Sequence, residues 1–168
     1  MTDALTDLAI QIDRLSRDFG SLRALDSLSF EVRRGEMFGL VGPDGAGKTT
    51  TLRLLAGILD PTDGSARVAG FDVAKDSESV KERIGYMSQR FGLYADLTVA
   101  ENIGFYADIY GVPRQGLGER IDRLLGFSNL TPFRKRLAGN LSGGMKQKLG
   151  LACALIHTPE VLLLDEPT

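Results

Sequence analysis

Apolar and polar positions change period several times along the chain, and each change marks an element. Residues 8–15 place Leu8, Ile10 and Ile12 at alternating positions, a strand pattern that Phe19-Gly20 ends as a turn. Leu28, Phe30 and Val32 alternate strictly with polar neighbours, as in a half-buried strand, and Arg33-Arg34-Gly35-Glu36 turns the chain back. Met37 to Val41 is a short apolar run beginning after Gly35 and ending before Gly42, the pattern of a buried strand. A helical pattern opens with Thr50-Thr51-Leu52-Arg53-Leu54-Leu55-Ala56 and closes near Leu59. Pro61-Thr62-Asp63-Gly64 follows as a turn. Ser65–Ala69 then reads as a short strand, Glu78–Arg83 as a short helix, and Ile84–Ser88 as a strand ending at Gln89.

Further on the pattern becomes helical. Thr98-Val99-Ala100-Glu101 is a capping box, in which hydroxyl and carboxylate each satisfy an orphan N–H at a helix start. That helix runs to about Tyr110 and stops at Gly111-Val112-Pro113. A second, around Gly118–Leu125, presents Leu117, Ile121, Leu124 and Leu125 on one face. A third begins after Ser142 and repeats Leu141, Met145, Leu149 and Cys153 at four-residue spacing. Val161–Leu164 is a final apolar strand before Asp165-Glu166-Pro167-Thr168. The pattern describes an α/β core, residues 1–94 and 159–168, interrupted by a helical subdomain over 95–158. No internal repeat or low-complexity segment occurs.

Composition narrows the class without changing that picture. At 168 residues the chain is one domain, with 43% apolar and 25% charged residues, as in an ordinary globular protein. A net charge of -2 leaves no electrostatic footprint for nucleic acid, and Arg134-Lys135-Arg136 reads as a solvated face. The single cysteine, Cys153, excludes an internal disulfide and sits where a small core residue belongs. No apolar run is long enough to span a bilayer, and Met1-Thr2-Asp3-Ala4 has neither part of a signal peptide. The expectation is a cytosolic protein, or one bound to a membrane from the cytosolic side.

Two stretches carry chemistry. Gly42-Pro43-Asp44-Gly45-Ala46-Gly47-Lys48-Thr49 fits the phosphate-loop pattern G-x-x-x-x-G-K-[ST], set between a predicted strand and a helix that opens with Thr50. Its glycines let backbone N–H groups reach phosphate oxygens, and the helix start adds unpaired donors and the positive end of a dipole. Lys48 supplies a cation for the β- and γ-phosphates, and the Thr49 hydroxyl a ligand for Mg²⁺. Asp165 ends a buried strand, where phosphate-loop enzymes place the carboxylate that orders Mg²⁺; Glu166 beside it can polarise an attacking water. Between them, Leu141-Ser142-Gly143-Gly144-Met145 places a serine N-cap before two glycines.

The order of these stretches resembles the ATP-binding cassette (ABC) ATPases over essentially the whole chain. The resemblance implies an α/β P-loop NTPase core with an N-terminal antiparallel β element and an inserted α-helical subdomain. It implies Walker A at Gly42–Thr49, Walker B at Val161–Asp165 and the signature motif at Leu141–Met145. It makes Gln89 the glutamine that contacts Mg²⁺ and the attacking water, and Phe19 the aromatic that stacks on adenine. Ser142, Gly143 and Gly144 would touch the γ-phosphate of ATP held by a second cassette. Catalysis would rest on Glu166, Lys48 and Gln89, and Mg²⁺ on Thr49, Gln89 and Asp165.

The finer resemblance, through Gly85-Tyr86-Met87-Ser88-Gln89-Arg90-Phe91-Gly92-Leu93-Tyr94 and Gly144-Met145-Lys146-Gln147-Lys148-Leu149, is to bacterial multidrug exporters of the ABC-2 type. Implied partners are transmembrane permease subunits and a second cassette, identical or fused in tandem, at the cytoplasmic face of the cell membrane; nucleic acid is not among them. Asp44 departs from the usual Asn or Ser, and Met145 from the usual Gln. The family's D-loop and switch histidine lie beyond Thr168, and His157, the single histidine, belongs to a helix end. The 168 residues alone are therefore expected to turn over ATP weakly or not at all. A soluble mechanochemical cassette, for example on ribosomes, and a nucleotide-binding fragment without catalysis are the other readings.

Overall fold

The computed structural model describes residues 7–89 and 92–166. Two compact units divide the chain, residues 1–84 and 85–168. The first contains β1 (Leu8–Phe19), β2 (Leu22–Arg33), α1 (Lys48–Leu55), β3 (Asp63–Val68), β4 (Phe71–Asp72) and α2 (Ser77–Arg83). Its strands form one antiparallel sheet in the order β2-β1-β3-β4, the expected N-terminal antiparallel element. β1 lies inside the sheet because its alternating apolar positions find partners on both sides. Ile10 faces Val32 across one edge and Val68 across the other, and all three are buried.

Two expectations in this unit need correction. Asp63 and Gly64 belong to β3 and not to a turn preceding it. Asp13 pairs with Ser65 and Ser16 with Asp63, so Arg14 and Leu15 together oppose Gly64 as a bulge. Gly64 has φ +77°, and a Cβ there would lie 2.2 Å from the Arg14 carbonyl oxygen. The glycine that reads as a turn in sequence thus marks a close approach of two strands. The second correction concerns Met37–Val41, which has no regular secondary structure. Met37 is 99% and Val41 98% exposed, while Phe38 stacks on Phe30 of β2 with ring centroids 4.8 Å apart. A strand exists only through hydrogen bonds to a neighbour, and none of the described strands pairs with this run.

The second unit takes up β5 (Ile84–Met87), followed by α3 (Val99–Ile109), α4 (Leu117–Phe127), α5 (Gly143–Leu155) and β6 (Val161–Leu164). Single 3₁₀ turns at Thr131–Phe133 and Ala138–Asn140 connect α4 to α5. β5 and β6 pair, and the Asp165 N–H extends that pairing to the Met87 carbonyl at 2.9 Å. The capping box of α3 is complete: Glu101 N–H donates to Thr98 Oγ1, and Thr98 N–H to Glu101 Oε2 at 2.7 Å. Backbone and hydroxyl bonds from Thr98 hold the Glu101 carboxyl below its ordinary range.

The helices close on one core. Val99, Ile103 and Ala107 of α3 meet Ile121 and Leu125 of α4 and Leu149 and Cys153 of α5, with Leu117, Leu124 and Met145 packed at its margin. The faces of α4 and α5 are those read from the sequence. Cys153 is fully buried there, and desolvation pushes its thiol far up, so it acts as a small apolar residue. Among the described residues no helix is long and apolar enough to cross a membrane.

Candidate functional site

The phosphate loop is shaped by its glycines. Gly45 and Gly47 have φ +79° and +84°, and Gly47 is the residue that caps α1. A Cβ at Gly47 would sit 2.7 Å from the Ala24 carbonyl oxygen of β2, so close approach and backbone sign both demand glycine. Ala46 N–H closes the turn on the Pro43 carbonyl at 3.2 Å. Gly42, Pro43, Asp44, Gly45 and Ala46 are exposed, and Gly47, Lys48, Thr49 and Thr50 half-buried.

α1 begins at Lys48 itself and has no side-chain N-cap. Its start therefore presents the positive end of the helix dipole, which favours an anion. Lys48 Nζ donates to the Gly42 and Pro43 carbonyls, both at 2.8 Å, so the cation folds back along the loop that its own backbone opens. Thr51, one turn into the helix, is buried and bonds the Gly47 carbonyl through Oγ1 at 2.9 Å. Loop, cation and helix start suit a polyphosphate. In the same unit Phe19 ends β1 at the hairpin turn, with 44% of the residue exposed.

The second unit assembles three further candidates. Asp165 follows β6 and is only 3% exposed, whereas Glu166 is exposed and has φ +51°, a left-handed conformation uncommon for glutamate. Gln89, two residues past β5, donates from Nε2 to Glu166 Oε2 at 2.7 Å. Its amide oxygen then points its lone pairs elsewhere, as a ligand for a hard cation needs. No cluster of three or more His, Cys, Asp or Glu occurs among the described residues. Within this unit the Gln89 amide oxygen and the Asp165 carboxylate are sparse, hard oxygen donors of the kind that suits Mg²⁺, which keeps waters and takes phosphate oxygens as ligands.

The stretch Leu141–Met145 is anchored and capped. Leu141 is buried, Ser142 is the N-cap of α5, and its Oγ accepts from Met145 N–H at 3.4 Å. Gly143 and Gly144 are exposed, with open space where a Cβ would stand. The helix start is therefore bare enough for another group to approach closely.

Pattern reading missed the residues that hold the segment 92–98. Asn102 on α3 is fully buried: its Nδ2 lies 3.0–3.2 Å from the carbonyls of Tyr94, Leu97 and Thr98, and its Oδ1 accepts from Tyr94 N–H at 2.9 Å. One turn on, Tyr106 donates its hydroxyl to the Gly92 carbonyl at 2.6 Å, and burial pushes its phenol up to about 12. The available signal was a polar residue inside the apolar stripe of α3. His157 stacks on Tyr110 at 3.8 Å between centroids, consistent with its place at a helix end. Of the basic run, Arg134 pairs with Asp122 and Arg136 lies over the Phe133 ring.

Residues 25–168 match the ABC transporter family. The chain belongs to that family. As an ABC ATP-binding domain it is 51% identical over 165 residues to a probable multidrug ABC transporter ATP-binding protein, YbhF, of Escherichia coli, covering 97% of this chain and 28% of that protein. It is 39% identical to the bacitracin transport ATP-binding protein BcrA of Bacillus licheniformis, over 95% of this chain and 51% of that one. The chain thus spans between about a quarter and a half of these relatives' length. A solved ATP-binding subunit of an ABC transporter superposes with a TM-score of 0.85 at 30% identity, over 95% of this chain and 66% of that one. CbiO1 of Clostridium perfringens, part of the transporter complex cbiONQ, gives 0.85 at 26% identity, over 96% and 66%. The α/β ABC ATPase fold and ATP binding as the family's business follow from this.

Proposed function

We propose that this domain binds ATP with Mg²⁺ and hydrolyses it within an exporter, pairing with a second cassette and with transmembrane permease subunits at the cytoplasmic face of the membrane. The observation that carries hydrolysis is the Gln89–Glu166 hydrogen bond of 2.7 Å beside the buried carboxylate of Asp165. Gln89 fixes one oxygen of an exposed carboxylate, so Glu166 meets water in a set orientation and accepts its proton as general base. Asp165, Gln89 and Thr49 would hold Mg²⁺, which when bound neutralises charge developing on the phosphates. The loop Gly42–Thr50 binds the β- and γ-phosphates through Lys48 and backbone N–H groups, and Phe19 stacks on adenine. Ser142, Gly143 and Gly144 receive the γ-phosphate of the partner cassette's ATP, the close approach that bare glycines permit. Export as the direction is supported by a relative from Paraburkholderia xenovorans named as a Nod factor export ATP-binding protein, 39% identical over 98% of this chain and 54% of that one.

The test is Glu166→Gln in the full polypeptide that carries this chain. ATP affinity is expected to stay within about twofold while turnover falls by two orders of magnitude or more, the range of a positioned general base. Turnover equal to wild type would refute the assignment.

A further inference from the structure

We propose that Arg17 is a positioning residue of the nucleotide site: it backs the ring of Phe19 and ties it to the segment that leaves α1. The inference rests on the proposal that Phe19 stacks on the base. Arg17 and Phe19 stand two apart on β1, yet here the guanidinium lies over the ring, its Cζ 4.7 Å from the centroid. One face of the ring is therefore covered by a flat cation while 44% of the residue stays exposed to receive a planar base.

The guanidinium is itself held. Arg17 Nη1 donates to the Asp60 carbonyl at 2.8 Å, and its Nε is buried without a hydrogen-bond partner, turned from water. The obvious competitor, the carboxylate of Asp18, is taken by Arg23 at 2.9 and 3.2 Å. Two more bonds fasten the same place: Asp18 N–H to Thr62 Oγ1 at 3.0 Å, and Thr62 N–H to the Ser16 carbonyl at 2.9 Å.

Asp60 follows directly on the exit of the phosphate-loop helix. There Ile58 N–H bonds the Arg53 carbonyl and Gly57 N–H the Leu54 carbonyl, a Schellman stop that fixes where the chain goes next. The aromatic at one end of the site is thereby registered to α1, whose start bears Lys48. A lysine at position 17 could offer the charge and one bond, but not a flat face stacked on the ring.

The test compares ATP with inorganic tripolyphosphate, which has phosphates and no base, in the full polypeptide carrying wild-type, Arg17→Ala, Arg17→Lys, Phe19→Ala and the double alanine substitution. Phe19→Ala is expected to weaken ATP about tenfold and Arg17→Ala about three- to fivefold, with tripolyphosphate unchanged in both. The double variant should be no weaker than Phe19→Ala alone, and Arg17→Lys should recover only part of the loss. If Phe19→Ala weakens ATP but Arg17→Ala does not, or if the two losses add, the inference fails and the role of Phe19 stands. If Arg17→Ala weakens both ligands alike, Arg17 supports the phosphates or the fold and the inference fails. If Phe19→Ala leaves ATP binding unchanged, the stacking proposal fails and takes the inference with it.

Discussion

Asn102→Ala offers a measurable account of how the segment 94–98 is held. The amide nitrogen reaches three carbonyls at 3.0–3.2 Å but has only two hydrogens, so one hydrogen bonds a single carbonyl and the other is shared between two. With the bond accepted from Tyr94 N–H, Asn102 supplies three net hydrogen bonds at a site with no solvent exposure. At about 1 kcal/mol each, their loss amounts to about 3 kcal/mol. Three kcal/mol is a factor of about 150 in a local opening equilibrium. Hydrogen exchange of the Tyr94 amide, read by NMR in the full polypeptide, should accelerate by about that factor, while amides on β1 and β3 stay as they were. Acceleration of less than fivefold would show that Asn102 is a tolerated core polar residue and that other contacts hold the segment.

Two further outcomes follow from geometry already described. Gly47→Ala puts an L-residue at φ +84° with a carbonyl oxygen 2.7 Å from its Cβ. It costs about 1–2 kcal/mol in backbone strain alone and should weaken ATP and tripolyphosphate equally, by at least tenfold; wild-type affinity for either would refute the loop geometry. Glu101 is held below its ordinary value of 4.5, chiefly by the Thr98 backbone N–H, so its contribution is present above that value and disappears as pH falls through the lower folded-state value. The Thr98 amide resonance should titrate with a midpoint below 4.5, and a midpoint at or above it would contradict the bonded carboxylate.

Local chemistry was legible wherever one short stretch carries its own reason. The capping box at Thr98–Glu101, the serine cap before Gly143, and the apolar faces of α4 and α5 all appear as read, because 3.6-residue periodicity and caps depend on neighbours in sequence. The phosphate loop is partly of this kind: Gly45 and Gly47 supply the positive φ values locally, while the Ala24 carbonyl that also demands glycine at position 47 comes from β2. Met37–Val41 was not, since apolar character proposes a strand but only a paired backbone makes one. Gly64 reads as a turn for the same reason, as its meaning lies in the Arg14 carbonyl opposite.

Contacts distant in sequence belonged wholly to the tertiary structure. Gln89 and Glu166 are 77 residues apart, and what joins them is the pairing of β5 with β6. Arg17 meets Asp60 across 43 positions, through a sheet register that no periodicity specifies. The sequence by itself determined which groups could do chemistry and which short segments would cap, turn or coil, because those are properties of adjacent residues. Tertiary structure decided which of those groups touch, because hydrogen bonds and ring contacts act over a few ångströms and only the folded backbone brings remote positions that close.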